Sequence, residues 1–319
     1  MKTLKNIWTD ITSINNIELA YKKAKKGKRH YRAVKEVEKD PRKYLLHLQS
    51  LLREGTYRTS EYSVSEELCG SKVRVLHKLP FFPDRIAHHA FMNLVSEFWK
   101  RSLIRDTFQS IQGRGTSDCI SRVRFAIHND KPLFAKKLDV VKYYPSLTND
   151  ITIDPKLYKL GDVKAQDFLF ELLGSLPVTP LGNHPSQYVG NLAISDIDWH
   201  AKQKLGIKHY YRYCDDIVIM GDSLSEIKEQ TDVIKGLFAD KGLRTKETSN
   251  VLNLQSDLLD FVGVRLNHSK LLLRKSISDN FKLAIKARNL DSIPSYYGWC
   301  KQARAEKLFQ KHYNILQKS

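Results

Sequence analysis

The spacing of apolar residues along the chain predicts amphipathic helices separated by short strands. Helical spacing marks residues 17–54, where a basic segment leads into a Leu-rich stretch closed by Gly55, and it returns from Ile86 onward. Strand-like alternation begins at Lys72, and another strand is predicted in the segment PLFAKKLDVV. This mixture, without internal repeats, indicates an α/β or α+β fold.

A predicted β-hairpin carries two adjacent carboxylates at its tip. The run Tyr-Tyr-Arg-Tyr has strand character, Cys214–Asp216 are expected to form the turn, and Ile217–Met220 leave as an apolar strand. Asp139 follows apolar strand residues in the same way and precedes an aromatic turn. Because neighbouring carboxylates repel each other, divalent cations are their natural counterions. We therefore expect Asp139 and Asp215, on neighbouring strands, to hold two Mg²⁺ ions about 3.5–4 Å apart, a spacing that serves phosphoryl transfer.

The remaining pattern predicts three more helical regions. A Gly- and Pro-rich loop opens a helix that has Ser186 and Gln187 near its start. An amphipathic helix ends near Gly242, and the chain from about Asn280 is basic and helical.

Charge adds a partner class to this picture. The 319 residues include 53 Lys and Arg against 35 Asp and Glu, a formal net charge of +18 that is spread along the chain. An extended polyanion such as nucleic acid is the simplest partner, and a merely basic protein is the alternative. The segment Lys22–Arg32 is typical of a solvated helix face and also of a phosphate-binding surface, and Gly113 and Gly115, which flank Arg114, would let the backbone approach a phosphate. The predicted nucleic-acid-binding residues are Lys22, Lys23, Lys25, Lys26, Lys28, Arg29 and Arg114.

Other classes of protein are disfavoured by what the sequence lacks. It has no apolar run of the roughly 18–20 residues that span a bilayer and no signal-peptide pattern, so we expect a cytoplasmic protein without membrane contact. The four cysteines are far apart and indicate neither a disulfide framework nor a zinc site. His88 and His89 follow the helical pattern without a matching ligand pair, which favours packed or capping histidines over metal ligands.

Three segments resemble the motifs of reverse transcriptases. Tyr213–Asp216, YCDD, is similar to their Y-x-D-D motif, and KLDVVKYYPSL resembles their first aspartate motif. PLGNHPSQYVGNLAISDID resembles the third motif, the loop and helix under the templating base. Similarity to bacterial and phage enzymes of this superfamily, which includes retron and group II intron enzymes, extends over most of the chain. The resemblance implies an α+β right-hand polymerase fold of fingers, palm and thumb with an antiparallel palm sheet.

The implied domains are an N-terminal extension with fingers in residues 1–130, a palm with inserted finger helices in 131–275, and a thumb in 276–319. The implied reaction adds dNTPs to a primer 3′-hydroxyl on a template RNA, which yields a cDNA/RNA hybrid. It would depend on two Mg²⁺ ions, with Mn²⁺ as an alternative.

The third motif narrows the resemblance. Most retroviral, group II intron and retron enzymes have Q-G-x-x-x-S-P there, whereas this chain has Leu181 in place of the Gln and Gln187 in place of the Pro. This combination is similar to the reverse transcriptases of diversity-generating retroelements, which copy a template-repeat RNA with frequent errors at adenines, aided by a small basic accessory protein. Since Leu181 offers no polar contact to an incoming nucleotide, reduced fidelity is a hypothesis, and a packing substitution without effect on fidelity is the alternative.

Residue roles carried over from the resemblance concern the metal ions and the nucleotide. Asp139 and Asp215 would bind the ions, Asp216 would support the second ion, and the backbone of Val140 would face a metal. Tyr144 matches the aromatic residue that blocks a ribose 2′-hydroxyl, and core packing is its alternative role. The implied dNTP-binding residues are Lys72, Arg74, Tyr144, Leu181, Gly182, Gln187 and Lys246.

Within that set, Lys72 and Arg74 match a finger strand that grips the triphosphate. Lys246 matches the lysine of a fourth motif, although the local spacing departs from it, and an ordinary surface lysine is the alternative. Two other functions stay open: an antiphage defence reverse transcriptase that works with a dedicated non-coding RNA, and a catalytically silent RNA-binding scaffold.

Overall fold

The computed structural model describes residues 3–69, 72–180, 182–247 and 250–318, and it is a mixed α+β structure. Its helices are α1 Trp8–Ile11, α2 Ile14–Ala24, α3 Arg32–Lys39, α4 Pro41–Glu54, α5 Ile86–Ser102, α6 Thr116–Phe125, α7 Tyr143–Ser146, α8 Asn149–Thr152, α9 Pro155–Tyr158, α10 Val163–Gly174, α11 His184–Ala193, α12 Ser195–Gln203, α13 Leu224–Asp240, α14 Lys275–Lys286, α15 Ile293–Gln302 and α16 Glu306–Lys318. Its strands are β1 Ser63–Cys69, β2 Lys72–Lys78, β3 Thr107–Phe108, β4 Phe134–Val140, β5 His209–Tyr213, β6 Asp216–Gly221, β7 Thr245–Glu247, β8 Leu252–Asn253, β9 Leu259–Phe261, β10 Val264–Leu266 and β11 Leu271–Leu273.

The chain forms two compact units, each built from segments that are distant in sequence. The first unit is Met1–Ile104, Val141–Asp198 and Lys241–Leu243, and the second is Arg105–Val140, Trp199–Asp240 and Arg244–Ser319. The division into fingers, palm and thumb at residues 130 and 275 stays a prediction. Among the described residues, no helix has the length and apolar character needed to cross a membrane.

The first unit is mainly helical, with α5 at its centre. This helix packs against α2 and α11, and its Phe91 and Trp99 side chains are fully buried. The Trp99 indole donates a hydrogen bond of 3.1 Å to the carbonyl of Tyr158, so this large ring is buried without an unpaired donor. Strands β1 and β2 form a separate antiparallel ribbon.

Local sequence explains where α4 begins and ends. The Asp40 carboxylate accepts a hydrogen bond of 3.1 Å from the Lys43 amide, and Pro41 takes the first helical position, where no amide hydrogen is needed. Gly55 ends the helix in the left-handed conformation at φ 72°. The predicted helical region 17–54 is therefore divided into α2, α3 and α4.

The second unit is built on a sheet with strand order β3-β5-β6-β4-β7, in which β8 also pairs with β4. Its β5, β6, β4 and β7 pairs are antiparallel, whereas β3 and β5 run parallel. A second sheet, β11-β10-β9, and helices α14–α16 share one apolar core with it, in which the Phe281 and Phe309 rings stack at 5.4 Å. Because β4 lies between β6 and β7, residues from three strands meet at its C-terminal end.

Candidate functional site

The hairpin of β5 and β6 presents Asp215 in a two-residue turn. Tyr213 pairs with Asp216 across the two strands, which leaves Cys214 and Asp215 as the turn. Cys214 adopts the left-handed conformation at φ 57°, as tight hairpin turns require. The expected turn Cys214–Asp216 is thus one residue too long, and Asp215 lies in the turn rather than on a strand. Asp216 opens β6 because its pairing with Tyr213 closes the turn.

A buried arginine supports this turn. Arg212 has no exposed surface, and its guanidinium donates a hydrogen bond of 3.0 Å to the carbonyl of Cys214. The backbone amide of Arg212 donates to the carbonyl of Asp106 at 2.9 Å, which ties β5 to the neighbouring chain segment. The backbone that carries Asp215 is therefore held from within the protein, a role of Arg212 that the sequence analysis did not identify.

The sheet register places Asp139 directly opposite Asp216. These residues are paired on the antiparallel strands β4 and β6, and paired side chains lie on the same face about 4.5–5.5 Å apart at Cβ. Asp215 is the next residue in the turn. The structure therefore brings together the three aspartates that the sequence analysis selected, and Val140 follows Asp139 as the last residue of β4.

Two lysines pair with these carboxylates. Lys246 is opposite Asp139 on β7, and its Nζ lies 2.9 Å from Asp139 Oδ2. Lys137, two residues before Asp139 on the same face of β4, has its Nζ 2.9 Å from Asp216 Oδ1. The sequence analysis proposed Lys246 but missed Lys137, which its spacing of two residues from Asp139 on a predicted strand could have revealed.

The three carboxylates of the site repel one another, which changes the pKa values of the residues around them. Burial raises the pKa of Asp215 above its usual value, and the charges of Asp216 and Asp139 raise it further, while hydrogen bonds from the backbone and from Cys214 act in the opposite direction. The hydrogen bond and charge of Asp139 raise the pKa of Lys246. Extra positive charge at this end of the sheet would therefore be favourable.

The donor set suits a hard divalent cation in its chemistry, because Mg²⁺ prefers carboxylate oxygens. Within residues 3–69, 72–180, 182–247 and 250–318, however, no group of three or more His, Cys, Asp or Glu side chains is arranged to hold a metal ion. Asp139 and Asp216 each pair with a lysine instead. A bound cation would have to replace those lysine contacts, and the two-ion site at Asp139, Val140, Asp215 and Asp216 stays a prediction.

The predicted nucleotide-binding residues of the third motif lie in the first unit. Tyr144 on α7 packs against α11, where a Cβ added to Gly190 would lie 3.3 Å from the Tyr144 ring. Gly182 has φ 116°, and a Cβ there would approach the His77 carbonyl oxygen to 2.6 Å. Gln187 is partly buried on α11, in the same helix as Gly190. Glycine is thus required at 182 for both conformation and space.

Part of the nucleotide set falls beyond what the structure describes. Leu181 lies outside the described residues, and so do the side chains of Lys72 and Arg74, whose backbone belongs to β2. Their contact with a triphosphate, and that of Lys246, stays a prediction.

The basic segment Lys22–Arg32, which begins in the last turn of α2, mixes paired and exposed side chains. Lys25 forms an ion pair of 3.1 Å with Glu38 and lies 4.3 Å from the centre of the Tyr21 ring. Lys23 Nζ hydrogen bonds to Asn93 Oδ1 at 2.6 Å. The exposed members of the segment are Lys22, Lys23, Lys26 and Arg29, and Lys28 is half-buried. Arg114 lies in the second unit, where its carbonyl accepts a hydrogen bond from the Gln109 amide.

Comparison with known proteins gives a distant likeness among solved structures only. No family model matches this sequence, and no curated protein matches it. Among solved structures, telomerase from Candida albicans in complex with a TWJ fragment of telomeric RNA is similar, with a TM-score of 0.48 and 11% sequence identity. The match covers 86% of this chain and 61% of the telomerase chain, so the chain spans about three fifths of the length of that protein.

Proposed function

We propose that the protein is an RNA-directed DNA polymerase that extends a primer on a template RNA. The observation that carries this proposal is the register of β4 against β6, which sets Asp139 opposite Asp216 and beside Asp215. Carboxylates gathered on a basic protein of net charge +18 suit chemistry on a nucleic acid, where phosphates and divalent ions share the site.

Each residue has a role in this reaction. Divalent ions held by Asp139 and Asp215 would activate the primer 3′-hydroxyl and offset charge on the departing pyrophosphate. Lys246, next to Asp139, places a positive charge where negative charge develops. Lys137 orients Asp216. Tyr144 excludes a ribose 2′-hydroxyl, and Lys72 and Arg74 grip the triphosphate.

The setting we propose is a diversity-generating retroelement. The support for it is the sequence of the third motif, in which Leu181 removes a polar contact near the nucleotide and Gln187 replaces a proline. The template is then a repeat-bearing RNA, and a small basic accessory protein assists the enzyme.

Sequencing of cDNA tests the reaction and the setting together. The protein is purified with its native RNA and supplied with Mg²⁺ and dNTPs, with Asp215→Asn as the inactive control. We expect cDNA from a repeat-bearing RNA with errors concentrated at adenines. Accurate or repetitive cDNA from a structured non-coding RNA would replace the retroelement setting by antiphage defence. Equal silence of the parent and Asp215→Asn on a matched RNA would favour a scaffold.

A further inference from the structure

A cluster of histidines and cations lies in the first unit, apart from the aspartates. We define the histidine cluster as His88 and His89 at the start of α5, His184 at the start of α11, and the cations around them, Lys23, Lys28 and Arg85. The ring centroids of His89 and His184 are 4.5 Å apart. Arg85, the three histidines, Gly182 and Asn183 line a small cavity with room for about one water-sized atom.

Two histidine nitrogens in this cluster are buried without a partner. His88 is only 2% exposed, and within the described part of the chain its Nε2 has no hydrogen-bond partner; the same holds for Nδ1 of His184. A buried polar atom left unpaired costs about 1–3 kcal/mol. His88 and His184 both line the cavity, so a ligand in it would lie beside residues that carry these nitrogens.

The permanent charges that act on the histidines are positive. Lys23, Lys28 and Arg85 are the side chains whose charges act on both His89 and His184. Lys28 is half-buried, and burial and the nearby Arg85 lower its pKa. In the described residues, no carboxylate forms an ion pair with Lys28 or Arg85. Two neighbouring cations without a counterion indicate a place for an anion.

The start of α11 adds to this positive character. Its first residue is His184, and the side chain of Asn183 makes no capping hydrogen bond to the helix. The amide groups of a helix N-terminus favour negative charge. His88, whose Nε2 has no hydrogen-bond partner within the described residues, lines the same cavity as Asn183 and His184 and is an independent sign of a ligand there.

A transition-metal site is the obvious rival for three histidines. The surrounding cations would repel a metal ion, and among the described residues no group of histidines and carboxylates has a metal-binding arrangement. An anion fits both the charge and the unsatisfied nitrogens, which can donate as N–H groups.

We propose that the histidine cluster binds one phosphate of a single-stranded nucleic-acid backbone. One phosphate oxygen enters the cavity and accepts hydrogen bonds from His88 and His184, while Lys28 and Arg85 neutralise the charge. Exposed Lys22 and Lys26 belong to the same basic segment of the chain as Lys23 and Lys28. The identity of the strand as template RNA rests on the proposed function.

Salt dependence of RNA binding tests the phosphate contact. A fluorescent single-stranded RNA is titrated with the full-length protein at several salt concentrations, and Lys28→Gln and Arg85→Gln are compared with Lys43→Gln. Lys43 is an exposed lysine of α4 and is not among the predicted nucleic-acid-binding residues. Its change to Gln removes the same charge and therefore serves as the control. Each lost phosphate contact lowers the slope of log affinity against log salt by about 0.7 for a single strand. We expect the slope to decrease by this amount more in Lys28→Gln and Arg85→Gln than in Lys43→Gln.

Equal slopes for Lys28→Gln and Lys43→Gln would overturn the proposal. Because Lys28 is half-buried in the segment between α2 and α3, the unfolding temperature of Lys28→Gln is measured to show that the variant folds. Protection against thermal unfolding by inorganic phosphate alone, with unchanged RNA slopes, would assign the cluster to a free anion instead. Displacement of the histidine NMR signals by Zn²⁺ would assign it to a metal. Two separate measurements distinguish the phosphate site from the proposed reaction. Absence of the slope effect, in the parent and in the Asp215→Asn background, would contradict only the phosphate site. Absence of polymerase activity in the parent would contradict only the reaction.

Discussion

At the scale of single residues, the site combines carboxylates that repel one another with lysines that hold them. Burial and two neighbouring carboxylates raise the pKa of Asp215, so its negative charge is the one that the site disfavours. The sequence selected Asp215 and Asp216 as two adjacent acids before an apolar strand, and Asp139 from the same position on a second predicted strand; their role in a reaction stays a prediction. It did not identify Lys137 or Arg212, whose roles depend on the register of the sheet and on burial.

We predict that Asp215→Asn stabilises the fold and abolishes polymerase activity. When folding raises the pKa of a carboxyl, the free energy of unfolding falls as pH rises through that pKa. The ionised Asp215 therefore destabilises the folded protein near pH 7 without metal. The variant should unfold at a higher temperature in a chelator, and its activity should fall more than about 100-fold, beyond the usual cost of removing a residue that only supports a ligand. Calorimetry and primer extension measure the two effects, and a lower unfolding temperature would contradict the first.

A second residue-scale prediction concerns Lys137. The Lys137 ammonium pairs with the Asp216 carboxylate. The change Lys137→Gln removes this positive charge, so the Asp216 carboxylate attracts a cation more strongly. We expect the Mg²⁺ concentration that gives half-maximal extension to fall several-fold. Lys136→Gln, one residue away and on the opposite face of β4, removes the same charge as the control. A half-maximal concentration that is unchanged, or equal in the two variants, would count against competition between Lys137 and metal.

At the scale of elements, periodicity predicted most of what formed. The hairpin, the strand before Asp139 and the helix that starts near Ser186 were all expected, and the structure contains β5–β6, β4 and α11. The strand of Asp139 was expected next to the hairpin, but the pattern could not give the place of β7 on the other side of β4, since that pairing joins residues more than 70 positions apart. The length of the hairpin turn was also missed, because Cys214 is an unusual residue for a left-handed position.

The loop before α11 provides a prediction at this scale. Gly182→Ala combines a positive φ with a Cβ only 2.6 Å from a backbone oxygen, so we expect destabilisation of about 2–4 kcal/mol. Gly236→Ala is the matched control in α13, where a Cβ meets nothing within 4 Å and the helix should gain up to about 1 kcal/mol. Chemical denaturation measures both. Equal effects of the two substitutions would show that the loop adopts another conformation.

At the scale of the whole molecule, the basic composition indicates a nucleic-acid partner, which stays a prediction, and the pattern of helices and strands predicts the fold class. The charge of +18 and the mixture of helices and strands follow from the sequence, and the structure is indeed α+β. The two units interleave along the chain, however, with 1–104 joined to 141–198 in the first. The resemblance implied finger helices inserted in the palm segment 131–275, but it did not give these bounds, because local patterns carry no information about such long-range association.

Global stability should depend on pH through the buried histidines. Burial and neighbouring charges lower the pKa to about 3 for His88 and His89 and to about 4 for His184. The unfolded chain therefore binds protons at these histidines below about pH 6.5, whereas the folded protein does not. The free energy of unfolding should be highest above that pH and should fall as pH decreases toward 4, by up to about 1.4 kcal/mol per pH unit for each histidine. Unfolding temperatures of the parent between pH 7 and 4.5 test this. His89→Gln should flatten the dependence and exposed His47→Gln should not.

The central claim, that Asp139, Asp215 and Asp216 form a polymerase site, is tested most directly by extension of a DNA primer on an RNA template. The parent, the three single Asp→Asn variants and Asp232→Asn, a change at an exposed residue of α13, are compared with and without Mg²⁺. We predict Mg²⁺-dependent addition of dNTPs by the parent and Asp232→Asn and its loss in the other three. Extension that survives Asp139→Asn or Asp215→Asn would contradict the claim.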